Sequence, residues 1–369
     1  MSERPLSVLF LTRYPEEGAS SRYRVFQYIP YLEKLGVTCH VQSFMDQSMY
    51  RASMSQGATG RKMLMTVSAA IRRLRTLLKH RRYDVVYMQR ELLPFGPPLI
   101  ENALKRSGTV LVFDYDDALF IKQPSRYNPL ATLFRSPEKT IEILRLVDCT
   151  VAGNDWLRDS AVKVGGKAET IEVAEDTARF AGPEEKFGED RGPVTIGWLG
   201  SPSTSKYLNE IADVLREVAS AHPEVRFEIM GGGEFAMDDV PWRLEDWSLE
   251  AEREALKRYD IGLMPLPDQD WSRGKSGGKA RTYMASTVVP VVSAIGYNNE
   301  LLRHGETGFL CKTKDDWRDA LEKLITDKAL RERMARAARK DVEERFDPAG
   351  QAAKIAALLR RLVDDKVAA

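Results

Sequence analysis

Cysteine and histidine are scarce in this 369-residue sequence, and neither forms a cluster. An odd number of widely spaced cysteines indicates no disulfide framework and no zinc cluster, and it fits a reducing cytoplasm. The histidines are equally scattered, with no H-E-x-x-H motif and no paired metal-ligand spacing. These residue types therefore predict no metal site. The residues concerned are Cys39, Cys149, Cys311, His40, His80, His222 and His304.

A charge excess and a long apolar run are also missing. The 55 basic residues are balanced by 54 acidic residues, whereas a dedicated nucleic-acid-binding protein usually has a strong basic excess. No apolar run approaches the roughly 20 residues that a membrane-spanning helix needs. The chain enters a predicted strand at 6–12 without a signal-peptide pattern. We expect a cytoplasmic protein that does not bind nucleic acid.

The sequence does contain a regular alternation of short apolar runs and amphipathic stretches. This alternation predicts parallel β-sheets covered by helices on both faces, an α/β fold. A stretch rich in glycine, proline and charge interrupts it at 181–193 and is typical of a linker. We predict two tandem doubly wound domains, at 1–180 and 194–345, followed by a helix at 346–369 that returns to the first domain. The predicted helices include 23–35, 136–146, 206–221, 249–259, 279–286 and 315–341, and the predicted strands include 7–12, 38–44, 85–88, 109–113, 149–152, 194–199, 225–230, 261–264 and 288–292.

The segment 271–293 combines a cationic, glycine-rich loop with a short helix and a strand. Arg273, Lys275 and Lys279 lie among three glycines, directly before the predicted helix. Glycine lets backbone N–H groups approach a ligand, and a helix N-terminus favours an anion. The segment predicts a site for a phosphate or diphosphate, and the alternative is a solvated basic turn before a core helix.

A second polar loop follows the first predicted strand of the second domain. Gly200, Ser201, Ser203 and Thr204 can offer backbone and hydroxyl donors to a phosphate, and Lys206 adds positive charge near a helix start. The alternative is a turn in which the serines and the threonine cap the helix.

A run of three glycines follows the next strand of the same domain, and it includes Gly232 and Gly233. Glycines at that place let a flat or bulky group lie against the backbone. The run predicts a nucleoside contact, and the alternative is a glycine turn without a ligand.

Two loops of the first domain also follow predicted strands. In the first loop, Ser20, Ser21, Arg22 and Arg24 lie at the start of a helix, where they either cap the helix or hold a phosphate or an acceptor.

The second loop carries three crowded carboxylates, Asp114, Asp116 and Asp117. Like charges at such spacing repel, so they need a metal ion, a cationic partner or a raised pKa. They predict a metal clamp on a nucleotide diphosphate or a contact to a sugar hydroxyl, and the alternative is a helix-capping cluster.

The segment 61–82 is a basic amphipathic helix with eight Lys or Arg residues and no acidic residue. One interpretation is peripheral contact with the inner face of an anionic membrane. The other is a solvated basic face with its apolar side on the core. The interleaved apolar residues are Met63, Leu64, Val67, Ile71, Leu74, Leu77 and Leu78.

Several of these motifs together resemble the two-domain glycosyltransferases of the GT-B fold, in particular family 4, whose members are retaining enzymes. The resemblance extends over nearly the whole chain and is most specific in the second domain. Gln89 and Arg90, together with the Arg22 loop and the Asp114 cluster, resemble the acceptor-side half of one branch. The donor-side segments that carry the resemblance are 196–204, 259–266, 271–279, 283–285, 290–292 and 300–310.

The resemblance implies that the second domain binds a nucleotide-diphosphate sugar. It assigns the diphosphate to Lys206 and the Gly200–Ser201 loop, although Ser201 stands where the family usually has arginine. Lys275 and Lys279 add charge near the diphosphate, and Gly232, Gly233 and Glu300 are the expected nucleoside or sugar contacts.

Three expected family residues are absent. Two glutamates eight positions apart are replaced by Gly274 and Thr282, and the histidine that many members carry after the fourth strand is missing. The cluster around Asp116 occupies that last region instead. Recognition of the sugar and the ribose therefore differs from the family pattern.

By this resemblance the chain moves a sugar from a nucleotide-diphosphate sugar to a glycan or lipid-linked acceptor, in glycan, glycolipid or polysaccharide biosynthesis. Lys275 and the carboxylates Asp114, Asp116 and Asp117 are the catalytic candidates, without a cofactor or a metal ion. The alternatives are a nucleotide-sugar epimerase or phosphorylase of the same fold, a metal-dependent transferase, and a catalytically weak nucleotide-sugar-binding subunit.

Overall fold

The computed structural model describes residues 5–54, 59–121, 136–187 and 192–368. Contacts between residues divide the chain into two compact units. The first unit comprises Met1–Ala174 and Pro348–Ala369, and the second comprises Glu175–Asp347. Residues 188–191 of the predicted linker lie outside the described residues. The roles given to the two predicted domains stay predictions.

The first unit is built on a six-stranded parallel sheet with the strand order β2-β1-β3-β4-β5-β6. The central strands are rich in Val, Leu and aromatic residues, and both of their faces are buried, as expected when helices cover a parallel sheet. The strands are β1 (Leu6–Thr12), β2 (Val37–Ser43), β3 (Val85–Gln89), β4 (Val110–Tyr115), β5 (Cys149–Ala152) and β6 (Ala168–Thr170).

The helices of this unit cover the sheet, and the C-terminal helix Pro348–Ala368 packs on its core through Ala352, Ile355 and Leu359. The other described helices of the unit are Ala19–Arg24, Ile29–Lys34, Gln47–Met54, Thr59–Leu77, Leu99–Arg106, Pro137–Leu146 and Asp155–Lys163, with 3-10 helices at Phe26–Tyr28 and His80–Arg82.

The second unit has its own six-stranded parallel sheet, with the order β12-β11-β10-β7-β8-β9. The strands are β7 (Thr195–Leu199), β8 (Arg226–Met230), β9 (Trp242–Glu245), β10 (Ile261–Met264), β11 (Val289–Ser293) and β12 (Phe309–Cys311). The described helices are Pro183–Phe187, Ala212–Ala221, Leu249–Arg258, Asp270–Arg273, Gly278–Ala285, Asn298–Leu301, Lys314–Thr326 and Lys328–Arg345, with 3-10 helices at Thr177–Arg179 and Ser205–Ile211. The predicted class, two parallel α/β sheets in tandem, is confirmed.

Four predicted helices are divided in the structure. The helix predicted at 61–82 ends at Leu77 and is followed by the 3-10 helix His80–Arg82. The helix predicted at 23–35 is broken before Ile29–Lys34, where a proline occupies the first turn and cannot continue a preceding helix. The helix predicted at 206–221 is 3-10 up to Ile211. The helix predicted at 315–341 stops at Asp327, whose carboxylate accepts from the Leu330 N–H and begins a new helix.

Each sheet has one topological switch point, where successive strands of the chain are placed on opposite sides of an earlier strand. In the first unit β1 lies between β2 and β3, and in the second unit β7 lies between β8 and β10. Loops that leave the carboxyl ends of such strands diverge to opposite faces and open a crevice, which is where ligands bind in open α/β sheets. The loops after β1 and β3, and those after β7 and β10, are therefore the places to look for functional residues.

Candidate functional site

The second unit brings Gly200 and Lys279 into direct contact at the carboxyl end of β7. A Cβ atom built on Gly200 would lie 2.8 Å from Cε of Lys279 and 2.4 Å from the Trp198 ring, so only glycine fits there. The ammonium of Lys279 lies 5.3 Å from the centroid of the Trp198 ring. The two predicted phosphate-binding segments are therefore neighbours, although about 80 residues separate them in the sequence.

Tyr283 ties the two strands of the crevice together. Its hydroxyl accepts a hydrogen bond from the Leu199 N–H at 3.1 Å and donates to the Leu263 carbonyl at 3.1 Å, so it joins the ends of β7 and β10. Burial raises the pKa of Tyr283 above its usual range and keeps the donor protonated. A Cβ at Gly262 would lie 2.4 Å from the Tyr283 ring. The sequence marked Tyr283 only as part of a family segment and missed this structural role.

The glycine run after β8 packs against the Gly200 loop. Gly231 has φ of +73°, and a Cβ there would lie 2.3 Å from the Gly200 carbonyl oxygen. A Cβ at Gly233 would lie 3.0 Å from the Pro202 ring, and one at Gly232 would lie 2.3 Å from Ile229. Close packing thus accounts for these glycines, and it places Gly231 and Gly233 against the loop predicted to hold a phosphate, with Gly232 between them.

The hydroxyls of the Gly200 loop lie near its surface. The Ser201 and Ser203 hydroxyls are 2.9 Å apart, and the Thr204 hydroxyl donates to the Ser201 carbonyl at 3.1 Å. Thr204 precedes the 3-10 helix Ser205–Ile211, and its side chain forms no capping hydrogen bond to that helix. The hydroxyl of Thr204 therefore does not act as a helix cap. Lys206 is exposed, with its ammonium 5.5 Å from the Tyr207 ring centroid.

The cationic loop ends at a glycine with positive φ. Gly277, at φ of +64°, precedes the helix Gly278–Ala285, and a Cβ there would lie 2.7 Å from Leu301. The Lys275 ammonium lies 4.6 Å from the Trp271 ring centroid. Glu300 is exposed on the short helix Asn298–Leu301, the same helix that packs on Gly277. Arg273, by contrast, forms surface ion pairs with neighbouring aspartates.

Glu175 is a buried carboxylate that sequence reasoning missed. Its Oε2 accepts from the hydroxyl of Thr282, at 3.0 Å, and Thr282 stands where the family pattern has a glutamate. Burial raises the pKa of Glu175 to about 7, while the positive charges of Arg281 and Arg179 oppose that rise. Arg281 is itself 1% exposed, and its Nε and Nη1 have no hydrogen-bond partner among the described residues.

In the first unit, Gln89 organises the crevice between β1 and β3. Its Oε1 accepts from the Arg13 N–H at 3.1 Å and from the Ser21 hydroxyl at 2.9 Å. Its Nε2 donates to the Ser20 hydroxyl at 3.0 Å. The predicted residues Ser20 and Ser21, which follow β1, are thus held by one amide at the end of β3, at the switch point.

Asp116 and Asp117 lie at the same crevice. The Ser20 hydroxyl lies 3.0 Å from each Asp116 carboxylate oxygen, and Arg90 donates to Asp117 at 2.8 Å and lies 3.7 Å from Asp116. Arg90 has φ of +70°, a backbone conformation that is unusual for a side chain of its size. Burial and the neighbouring Asp117 charge raise the pKa of Asp116, and Arg90 opposes this.

Asp114 and Arg24, two further predicted site residues, are buried and bonded to each other. Asp114 belongs to β4, is fully buried, and forms two hydrogen bonds with Arg24, at 2.8 and 2.6 Å. The Tyr87 hydroxyl also donates to Asp114, at 2.5 Å, and Arg24 donates to the Ile171 carbonyl. Since neither residue has an exposed group for a substrate, we interpret this pair as structural.

Three further observations bear on the sequence expectations. Arg22 is mostly buried, donates to the Glu17 carbonyl at 3.2 Å and lies over the Tyr23 ring, so it contributes little to the surface of the loop. Within the described ranges, no group of three or more Asp, Glu, His or Cys side chains is arranged to hold a metal ion. No described helix is both long enough and apolar enough to span a bilayer.

Residues 280–341 match a family model described as Glycosyl transferases group 1. The match begins one residue after Lys279, inside the helix Gly278–Ala285, and it includes β11 and β12. No curated protein sequence matches the chain.

Solved structures share the fold at low sequence identity. Anabaena Alr3699/HepE, in complex with UDP and glucose, is 14% identical with a TM-score of 0.69, and the match covers 96% of this chain and 100% of that one. Sucrose-phosphate synthase from Thermosynechococcus elongatus is 13% identical with a TM-score of 0.69, covering 98% and 100%. A glycosyltransferase from Rickettsia africae is 12% identical with a TM-score of 0.67, covering 98% and 99%. These likenesses confirm the predicted GT-B type of fold.

Proposed function

We propose that this chain is a glycosyltransferase that moves a sugar from a nucleotide-diphosphate sugar to an acceptor hydroxyl with retention, as the resemblance to family 4 implies. The observation that carries the proposal is the contact between Gly200 and Lys279 at the switch point of the second sheet. The match to the group 1 glycosyltransferase model starts on the helix that supplies Lys279. The similar Anabaena protein, whose structures contain UDP and UDP-glucose, supports a nucleotide sugar as the substrate class.

The donor diphosphate is assigned to the crevice between β7 and β10. Backbone N–H groups of the Gly200 loop and the hydroxyls of Ser201, Ser203 and Thr204 provide hydrogen-bond donors, and the lysines provide charge. Gly232, Gly233 and Glu300, which flank this crevice, are assigned to the nucleoside or sugar. The lysines are Lys206, Lys275 and Lys279.

Catalysis is then mainly electrostatic. When the bond between the sugar and the diphosphate breaks, negative charge grows on the departing phosphate oxygen, and a positioned ammonium stabilises that charge more than it stabilises the intact donor. Lys275 and Lys279 are the catalytic candidates for this role. The lysines can supply this charge without a divalent ion, so we propose metal-independent transfer.

The acceptor hydroxyl is assigned to the first unit. Ser20, Ser21, Gln89 and Arg90 form a hydrogen-bonded crevice with Asp116, and hydroxyl, amide and charged groups of this kind suit sugar hydroxyls. Asp116 or Asp117 would orient the reacting hydroxyl. A glycan or a lipid-linked sugar would provide it, in the biosynthesis of a glycan, glycolipid or polysaccharide.

One alternative, a nucleotide-sugar-binding subunit with weak activity, is supported by a specific observation. Thr282 replaces a family glutamate and its hydroxyl is bonded to the buried Glu175. The carboxylate that the family places there is therefore missing from the crevice. Donor hydrolysis or transfer by the purified chain would exclude this alternative.

The test combines thermal stabilisation by uridine, guanosine and adenosine diphosphate sugars with a transfer assay in EDTA. We expect one nucleotide class to raise the melting temperature. Lys279→Ala should lower turnover roughly 100-fold, because removal of one positioned charge donor costs on the order of 100-fold. Asp116→Asn should keep the thermal shift and lose turnover, because it affects the acceptor side alone.

Lys340→Ala, an exposed lysine of the same unit, is the matched control and should behave as the wild type. Unchanged kinetics of Lys279→Ala would contradict the donor site. Stabilisation by no nucleotide sugar would contradict the proposed function as a whole, and complete loss of activity in EDTA would favour a metal-dependent enzyme.

A further inference from the structure

The basic helix Thr59–Leu77 and the next residue, Leu78, present an apolar stripe to solvent. Leu78 is 82% exposed, Leu64 is 71% exposed and Met63 is 70% exposed. Isolated exposed apolar side chains are common, but a continuous stripe marks a docking surface. Among the described residues, thirteen large apolar side chains are exposed, and six of them form this stripe: Met63, Leu64, Val67, Ile71, Leu74 and Leu78.

The spacing of the stripe places it on one side of the helix. Positions 64, 67, 71, 74 and 78 are separated alternately by three and four residues, which is the repeat of a single helical face. A different face holds the helix to its unit through Ala69, Arg73 and Leu77, which are buried. Arg73 also donates to the Thr12 carbonyl at 2.7 Å. The apolar stripe is therefore not the face that packs on the core.

Charge identifies the surface that this stripe fits. The segment 61–82 has eight Lys or Arg residues and no acidic residue. Helical spacing places Arg61 and Arg75 along one edge of the stripe. Lys79 follows the end of the helix and lines the same depression as Arg75 and Leu78, and all three cations are exposed. Part of the stripe borders an open depression of about 980 Å³, which Tyr83 also lines. Cations and an aromatic ring beside an apolar stripe are typical of a helix that lies in a membrane interface.

We propose that this stripe docks the first unit on an anionic lipid bilayer, with the helix parallel to the membrane surface. The apolar side chains would enter the boundary between headgroups and acyl chains, and the cations would meet lipid phosphates. A second copy of the chain fits less well, because symmetric pairing would bring the same cations together with no acidic residue on the segment to pair them. This proposal goes beyond glycosyl transfer and does not depend on it.

The test is sedimentation of the full chain with vesicles of phosphatidylcholine, with and without phosphatidylglycerol. We expect binding to the anionic vesicles that weakens as salt is added. The variant Arg61→Gln/Arg75→Gln/Lys79→Gln should bind on the order of 100-fold more weakly, because each charge near an anionic surface contributes about 1 kcal/mol. Met63→Ser/Leu64→Ser/Leu78→Ser should lose binding at least as strongly, because it removes the side chains that insert.

Matched controls change exposed residues elsewhere in the chain. Leu99→Ser/Val162→Ser/Val367→Ser removes three exposed apolar side chains, and Arg253→Gln/Lys328→Gln/Lys340→Gln removes three exposed charges. Both should bind as the wild type does, and melting temperatures should stay within a few degrees for every variant.

Three results would overturn the proposal. The first is no sedimentation with anionic vesicles at low salt, and the second is an equal loss in the control variants. The third is a concentration-dependent dimer, measured by light scattering, that Met63→Ser/Leu64→Ser/Leu78→Ser abolishes, because it would assign the stripe to a second copy. Nucleotide-sugar stabilisation is measured separately, so failure here leaves the proposed function untouched.

Discussion

The two crevices, one in each unit, hold their cations in different ways. Both lie where the strand order reverses, between β1 and β3 in the first unit and between β7 and β10 in the second. In and beneath the first crevice, arginines face carboxylates: Arg24 lies 2.6 Å from Asp114, and Arg90 lies 2.8 Å from Asp117.

In the second crevice, lysines lie over aromatic rings. Lys275 lies 4.6 Å from the Trp271 centroid and Lys279 lies 5.3 Å from the Trp198 centroid. A carboxylate neutralises the cation that it holds, whereas the face of a ring holds a cation by its quadrupole and carries no net charge. The two crevices thus differ in the groups beside their cations, which are aromatic faces in the second unit and carboxylates in the first. The glycine-rich loop beside Lys279 supports our assignment of a diphosphate to the second unit, and the hydroxyls and the amide beside Arg90 support a hydroxyl-bearing acceptor in the first.

The largest expected effect concerns the buried ion pair of the first unit. Arg24→Ala leaves the Asp114 carboxylate buried without its partner, and we expect the free energy of unfolding to fall by about 3–5 kcal/mol. Urea denaturation measures this, with the exposed Arg253→Ala as the matched control. A variant as stable as the wild type but inactive would break the comparison, because it would make Arg24 a substrate contact.

The buried carboxylate of the second unit should respond to pH. Burial raises the pKa of Glu175 from 4.5 to about 7, so the folded state holds a proton that the unfolded state has released. Its contribution to stability is complete below pH 4.5 and is lost as the pH rises towards 7, by at most about 3 kcal/mol. Glu175→Gln, which can still accept from Thr282, should remove this loss. Parallel stability profiles of the two proteins over that pH range would contradict the prediction.

The smallest expected effect sharpens the contrast between rings and carboxylates. Trp271→Leu keeps apolar volume but removes the ring under Lys275, and a cation–π contact at a partly exposed site contributes about 0.5–1 kcal/mol. We expect KM for the donor to rise roughly two- to fivefold, with kcat nearly unchanged, as steady-state kinetics will show. Trp271→Phe should recover most of the loss, and equal defects in both variants would argue that the ring acts by packing alone.

The sequence predicted the fold well because the spacing of apolar residues and the local composition determine where strands and helices form. Buried parallel strands need continuous apolar runs, and these runs located most strands within two residues, including Ile261–Met264 and Cys149–Ala152. Helix ends were less accurate, because a proline at 30 and a capping aspartate at 327 divided stretches whose helical periodicity is continuous. β9 was missed, since Trp242–Glu245 has neither the length nor the apolar content of a typical strand.

The sequence by itself also indicated which loops to consider for a site, because glycine, lysine and aspartate residues at the ends of strands can be read directly from it. Only the tertiary structure decided their roles. Arg24 and Asp114 are partners because strand β4 lies in the sheet interior, where an unpaired charge is too costly to bury. Gly200 and Lys279 meet because parallel strands end at one edge of a sheet. The core buries the face of the helix Thr59–Leu77 that carries Ala69 and Leu77, and the other apolar face is therefore exposed to solvent.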